Sequence, residues 1–248
     1  MLMDNTDQII IITGASSGIG KATALKLVSH GYKVVLTARR EEKLEDLQTE
    51  IEKSGGQALV VTADVTKIEE LKNVVEKAIA HFGTVTGLIN NAGLMPLSFI
   101  EKFKTEEWNT MVDVNIKGVL NGLAAVLPEL IKNKGGNIIN ISSSAAHNYF
   151  PGGAVYCATK SAVKMLSEGL RQELTLKYGI NVTSIEPGAT ESELMDTITD
   201  EDVKEKLKGM KGMNILKAED IAEAIYYTLS QPKQVNINNM YIMPSEQH

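Results

Sequence analysis

Short runs rich in valine and isoleucine alternate with longer amphipathic stretches, the pattern of a parallel sheet whose strands are joined by crossover helices. The runs predict seven strands, at 8–13, 33–37, 57–62, 87–90, 137–141, 181–185 and 240–243. Between them, helical periodicity covers 18–30, 41–54, 67–82, 106–132, 155–178 and 218–230, as in the stripe Leu44, Leu47 and Ile51. Runs such as Ile9-Ile10-Ile11-Ile12 and Ile138-Ile139-Asn140-Ile141 are apolar at nearly every position. That indicates strands buried on both faces, with helices covering both sides of the sheet. No proline-rich or serine-rich linker interrupts the alternation, so one doubly wound α/β domain over 1–248 is expected.

Composition narrows the function classes. Lysine and arginine total 25 against 31 acids, a formal net charge of -6, so nucleic acid would meet general repulsion. The one cysteine, Cys157, cannot form an intramolecular disulfide, which fits a reducing compartment. Residues 1–7 carry acids and no apolar core, so no signal peptide is expected, and no run is expected to approach the roughly 18 apolar residues of a membrane span. The expected location is the cytoplasm. The 4 histidines lie far apart in no ligand spacing, and no metal site is expected.

The first strand runs directly into Thr13-Gly14-Ala15-Ser16-Ser17-Gly18-Ile19-Gly20 and then a helix. Glycines allow positive φ and bring bare N–H groups close to phosphate oxygens, while the helix N-terminus adds partial positive charge. The spacing is not that of the G-x-G-x-x-G fingerprint, but its place after a buried strand points to a nucleotide. The second strand ends in Ala38-Arg39-Arg40 with no acid to bind a ribose 2′-hydroxyl. Two of the chain's three arginines stand here, and a guanidinium fork suits a 2′-phosphate, so NADP(H) is favoured over NAD(H).

The strand at 137–141 leads into Ser142-Ser143-Ser144, and Tyr156 and Lys160 lie four apart, on one face of the next helix. Free tyrosine has a pKa of about 10, too high for efficient acid/base work at neutral pH. A cation about 4 Å away contributes on the order of 4 kcal/mol at an effective dielectric of about 20, enough in principle to bring it down toward about 7. Ser143 could then hold the substrate oxygen while a nicotinamide exchanges hydride. Cys157 is expected to be a buried structural thiol, because consecutive helix positions do not share a face.

Together these residues resemble the short-chain dehydrogenase/reductase family over essentially the whole chain. The motifs are the glycine turn, Asp64-Val65, Asn90-Asn91-Ala92-Gly93, Asn115, Ser143, Tyr156 with Lys160, and Pro187-Gly188. The resemblance implies a Rossmann-type fold with Tyr156 as proton donor or acceptor and Ser143 as partner of the substrate oxygen. It implies that Lys160 binds the nicotinamide ribose and lowers the Tyr156 pKa, and that Asn115 helps hold a water in the proton relay. Gly14, Ser16, Ser17, Gly18, Ile19, Arg39 and Arg40 would meet the cofactor's phosphates, and Asp64 and Val65 its adenine. Asn90, Ala92 and Gly93 would lie beside it, and Pro187, Gly188 and Thr190 near the nicotinamide amide. Here the chain reads Ala189-Thr190-Glu191-Ser192, which leaves Thr190 and Ser192 both open for that contact, and the serine run leaves the neighbours of Ser143 open too.

The paired arginines and the ending 230–238 are similar to the bacterial branch of NADP-dependent serine and 3-hydroxy acid dehydrogenases, which also contains broad carbonyl reductases. The expected activity is hydride transfer between NADP(H) and a small alcohol/carbonyl substrate. The alternative is an NADP(H)-binding regulator that kept the fold and lost turnover. The segment 191–213, with Met195, Met210 and Met213, is expected to be a substrate lid, and His147, Tyr149, Phe150, Leu94 and Met95 to line the pocket. A homotetramer or homodimer is expected, with Gly118, Gly122, Ala158, Ala162 and Gly169 allowing close helix contact.

Overall fold

The computed structural model describes residues 5–208 and 214–247. Its seven strands are β1 (Ile9–Thr13), β2 (Lys33–Thr37), β3 (Gln57–Val60), β4 (Gly87–Asn90), β5 (Gly136–Ile141), β6 (Ile180–Pro187) and β7 (Asn239–Ile242). They form one sheet in the order β3-β2-β1-β4-β5-β6-β7, every pair parallel. The helices are α1 (Gly18–Val28), α2 (Glu41–Lys53), α3 (Ile68–Phe82), α4 (Thr105–Val112), α5 (Gly118–Asn133), α6 (Ala154–Tyr178), α7 (Glu201–Lys208) and α8 (Ala218–Leu229).

The isoleucine run of β1 is apolar throughout because it feeds two cores. Ile9 and Ile11 pack with Val35, Leu88, Ile138 and Val182 under α3, α5 and α6. Ile10 and Ile12 pack with Val34, Leu36, Ile89 and Ile139 under α1, α2 and α8. Burying one such side chain contributes about 1.5–3 kcal/mol, so a polar substitution on either face of β1 is costly. From β1 the chain winds outward through β2 and β3, and from β4 the other way. The carboxyl ends of β1 and β4 therefore flank a crevice, the place where open sheets of this kind bind ligands.

Strand bounds follow the sequence pattern closely, and the helices depart from it in two places: α7 has no counterpart among the expected helices, and the expected long helix is split. The predicted helix 106–132 is interrupted by a π-turn at Asp113–Lys117 between α4 and α5. One extra residue in the turn rotates the faces that follow it, and Asn115 becomes 1% exposed. By length and composition alone the helical run Thr105–Asn133 would also qualify as a membrane span, which corrects the expectation that no run comes close. Here its buried residues, among them Val119, Leu123, Val126 and Leu130, belong to the core shared with β4 and α3, as in an ordinary core helix.

Two of the small residues expected at a subunit contact face inward instead. A Cβ on Gly118 would come 2.8 Å from Val65, and one on Gly122 would come 3.3 Å from Leu88. Of the expected lid, 192–208 forms a short 3-10 helix, Glu193–Thr197, and then α7. Met210 and Met213 lie outside the described residues.

Candidate active site

Gly14 leaves β1 with φ +66, and a Cβ there would lie 2.9 Å from both Ala92 Cα and Asn91 Nδ2. The turn is stitched to the end of β4. Asn91 Nδ2 donates to the carbonyls of Thr13 and Gly14 at 2.9 and 3.1 Å, while Asn91 and Ala92 N–H groups donate to Thr13 Oγ1 at 3.0 Å. The family resemblance gives Asn91 no role; the structure makes it the residue that holds the glycine turn. Asn90 turns its side chain to the protein interior instead. Its side chain donates to Asn140 at 2.8 Å, and Asn140 donates to Ser167 at 2.9 Å. That amide is spent inside the protein because a buried polar group must find a partner. Asp64 half-caps the turn after β3, accepting from the N–H and hydroxyl of Thr66 at 2.9 Å, and Val65 is buried beside it.

The two arginines after β2 have different fates. Arg39 is exposed and has no hydrogen bond or ion pair among the described residues. Arg40 folds back on the glycine turn, donating to Ser16 Oγ from Nη2 at 2.9 Å and to Ser17 Oγ at 2.8 Å, and pairing with Glu193 at 2.8 Å. Arg40 first, then the Ser17 hydroxyl, holds the Glu193 carboxyl below its usual range. Glu193 carried no sequence signal, since 153 positions separate it from Arg40 and only the crossing of the chain after β6 joins them.

Across the crevice, Ser143, Tyr156, Lys160 and Asn115 come together. Ser143 starts a 3-10 turn, accepting from Ala145 N–H at 3.1 Å, and it hydrogen-bonds the Tyr156 phenol. Lys160 Nζ donates to the Ile141 carbonyl at 2.8 Å and lies 5.9 Å from the Tyr156 ring centre. Gly93 faces this group: a Cβ there would lie 3.4 Å from Asn115 Oδ1 and 3.6 Å from Lys160 Nζ. Asn115 gives both amide hydrogens away, to the Leu94 carbonyl at 3.0 Å and Thr159 Oγ1 at 3.1 Å, and accepts from Leu94 N–H at 3.0 Å. It ties the segment after β4 to α6.

Electrostatics here departs from the sequence argument. Burial pushes Tyr156 up to about 12, against a smaller downward pull from the Ser143 hydrogen bond. Burial likewise lowers Lys160 to about 8. Desolvation, and not the expected pull of the lysine, sets the direction at Tyr156: both groups are removed from water, and the cation is spent on the Ile141 carbonyl.

Other expected residues sort themselves plainly. Pro187 ends β6, and Gly188 N–H donates to the Ile242 carbonyl at 2.7 Å. Thr190 Oγ1 donates to the Gly188 carbonyl at 3.0 Å, and Ser192 caps the 3-10 helix, so both hydroxyls are locally engaged. Leu94, Met95 and Phe150 pack against the small core of Leu97, Met111, Tyr156, Cys157, Ile198 and Val203. Tyr149 is instead 68% exposed, and His147 is engaged elsewhere. The His147 ring pairs with the fully buried Glu186, Ser184 Oγ donates to the same carboxylate at 2.9 Å, and Lys164 Nζ reaches His147 Nδ1 at 3.2 Å. This chain anchors the loop after Ser143 to β6.

A family model described as short chain dehydrogenase matches residues 8–203. An uncharacterized oxidoreductase of Staphylococcus saprophyticus is 47% identical over 242 residues, covering 97% of each chain. Among solved structures, the closed form of serine dehydrogenase complexed with NADP+ superposes with TM-score 0.90 at 32% identity, covering 97% of this chain and 96% of that one. A 3-ketoacyl-(acyl-carrier-protein) reductase from Brucella melitensis, complexed with NADH, gives TM-score 0.84 at 30% identity, covering 96% and 97%.

Proposed function

The chain belongs to the short-chain dehydrogenase family of oxidoreductases, and from that premise we propose that it transfers hydride between NADP(H) and a small alcohol/carbonyl pair, with Tyr156 as the acid/base. The observation that carries this reading is the meeting of Ser143, Tyr156 and Lys160 beside Gly93, across the crevice from the glycine turn. A sensor would need the turn alone and has no use for a buried proton donor.

The residues present fit a dinucleotide. The turn at Gly14 has no room for a side chain, and Gly93 keeps bare backbone beside Lys160. Gly14, Ser16, Ser17, Gly18 and Ile19 would hold the phosphates, Asp64 and Val65 the adenine, and Lys160, beside Gly93, the ribose hydroxyls. Pro187, Gly188 and Thr190 would border the nicotinamide. The cofactor supplies the hydride. In carbonyl reduction Ser143 and Tyr156 hold the substrate oxygen by hydrogen bonds, and the Tyr156 phenol gives that oxygen its proton. A tyrosine kept neutral by burial is primed for this direction. Asn115 positions the segment carrying Gly93 and Leu94. The exposed Arg39, with Arg40, favours NADP(H), a reading supported by the NADP+ complex of the serine dehydrogenase neighbour.

A 3-hydroxy acid or serine is the substrate class we favour within this scheme, on the likeness to serine dehydrogenase, with 192–208 as part of a lid over the apolar pocket. Assembly into a dimer or tetramer belongs to the same reading, with the exposed Met165 and Leu176 of α6 open to a second copy. The test is to follow NADPH and NADH consumption with a panel of 3-oxo acids, aldehydes and ketones, and NADP+ reduction with serine and 3-hydroxy acids. Turnover that prefers NADPH is expected. Tight NADPH binding with no turnover on any member would favour the regulator.

A further inference from the structure

The segment after β6 crosses to the glycine turn, and Glu193 there meets a set of donors suited to a phosphate. Its Oε2 lies 2.8 Å from Arg40 Nη1 and its Oε1 3.8 Å from Lys43 Nζ. Ser17 also hydrogen-bonds the carboxylate. Arg40 is nearly saturated, because Nε and Nη2 reach Ser16 Oγ at 3.2 and 2.9 Å and Nη2 also reaches Ser17 Oγ at 2.8 Å. Glu193, Ser16, Ser17 and Lys43 all line one cavity of about 300 Å³ on the α2 side of the turn. One guanidinium nitrogen of Arg40, the Lys43 ammonium and the Ser17 hydroxyl converge on one anion, and the anion is supplied by the chain itself.

We propose that Glu193 is a specificity-determining residue of the cofactor site, an internal carboxylate that the 2′-phosphate of NADP(H) must displace from Arg40, Ser17 and Lys43. This rests on the NADP(H) reading above. A phosphate entering beside the carboxylate meets like charge and finds its donors taken, whereas the uncharged 2′-hydroxyl of NAD(H) meets neither obstacle. Glu193 therefore tempers the preference that the arginines create. Both partners of the Arg40–Glu193 pair have side chains 46% exposed, which makes the contact weak enough for a phosphate to replace.

The probes are 2′,5′-ADP and 5′-AMP, which reach the adenosine end alone and need no turnover. Their affinities are measured by calorimetry for wild type, Glu193→Gln, Arg40→Ala and the double variant. Glu193→Gln should bind 2′,5′-ADP about three-fold to ten-fold more tightly while 5′-AMP changes by less than about two-fold. In the Arg40→Ala background the same substitution should change the ratio little. Glu193→Gln that leaves the ratio of the two affinities unchanged, or weakens 2′,5′-ADP, overturns the role of Glu193 while a wild-type preference keeps the cofactor reading intact. Absence of a 2′,5′-ADP preference in both wild type and Glu193→Gln overturns the NADP(H) reading together with the proposal.

Discussion

On the α6 side of the crevice Tyr156 and Lys160 are buried, one pushed up to about 12 and the other lowered to about 8, each away from its charged form. On the α2 side Arg40 and Glu193 stand half in solvent and are charged against one another. Desolvation rules the first region, so its behaviour is set by burial and by individual hydrogen bonds. Screening rules the second, where charges exchange partners at small cost. The difference suits the division of labour proposed above. A proton has to be held at one atom, whereas a phosphate has to arrive and leave.

The contrast can be broken in five ways, in descending order of effect. If burial governs Tyr156, alcohol oxidation, which needs tyrosinate, should climb with pH without a plateau, about ten-fold per unit up to roughly pH 10. The sign follows from the raised value: the deprotonated fraction grows all the way to about 12. A plateau near neutrality would mean that Lys160 prevails over burial after all. Next, Lys160→Met keeps the apolar stem and removes the ammonium, and turnover should fall about a hundred-fold, with weaker cofactor binding. A loss of only a few-fold would level the two regions. Arg39→Ala should cost about ten-fold in NADPH affinity and leave NADH affinity alone. Added salt should weaken NADPH binding in wild type while turnover at saturating cofactor holds steady. The smallest effect is expected at Cys157, whose thiol burial pushes up and whose Sγ lies 3.7 Å from the Asn148 carbonyl. Cys157→Ala should keep turnover within about two-fold, and a collapse without unfolding would make it part of the chemistry.

The parts of the molecule legible in the sequence are those governed by local pattern. The isoleucines of β1 announced a strand buried on both faces, and the glycine turn announced itself by following that strand. Residues four apart on a helix were bound to share a face, which brought Tyr156 and Lys160 together. What escaped depends on which way a side chain turns and how much water it loses. The π-turn at Asp113–Lys117 is invisible in a pattern that continues apolar on both sides of it, yet it sends Asn115 into the interior. Asn90 sits in the right motif but spends its amide on Asn140. The separation of Tyr156 and Lys160 along the helix gave a cation nearby, while the burial that outweighs it comes from Leu97, Met111, Ile198 and Val203, on segments distant in the chain. Glu193 reaches Arg40 only because the chain crosses the crevice, a tertiary fact without a local trace.

Everything proposed for the chemistry turns on the Tyr156 phenol as the proton donor. The most direct test is carbonyl reduction by Tyr156→Phe at saturating NADPH, on a substrate the wild type reduces, with cofactor affinity measured alongside. The substitution removes one hydroxyl and leaves the ring in its packing, so NADPH should bind as before while turnover falls at least about a hundred-fold. Near-normal turnover in Tyr156→Phe, with the fold and NADPH binding intact, would rule out Tyr156 as the proton donor.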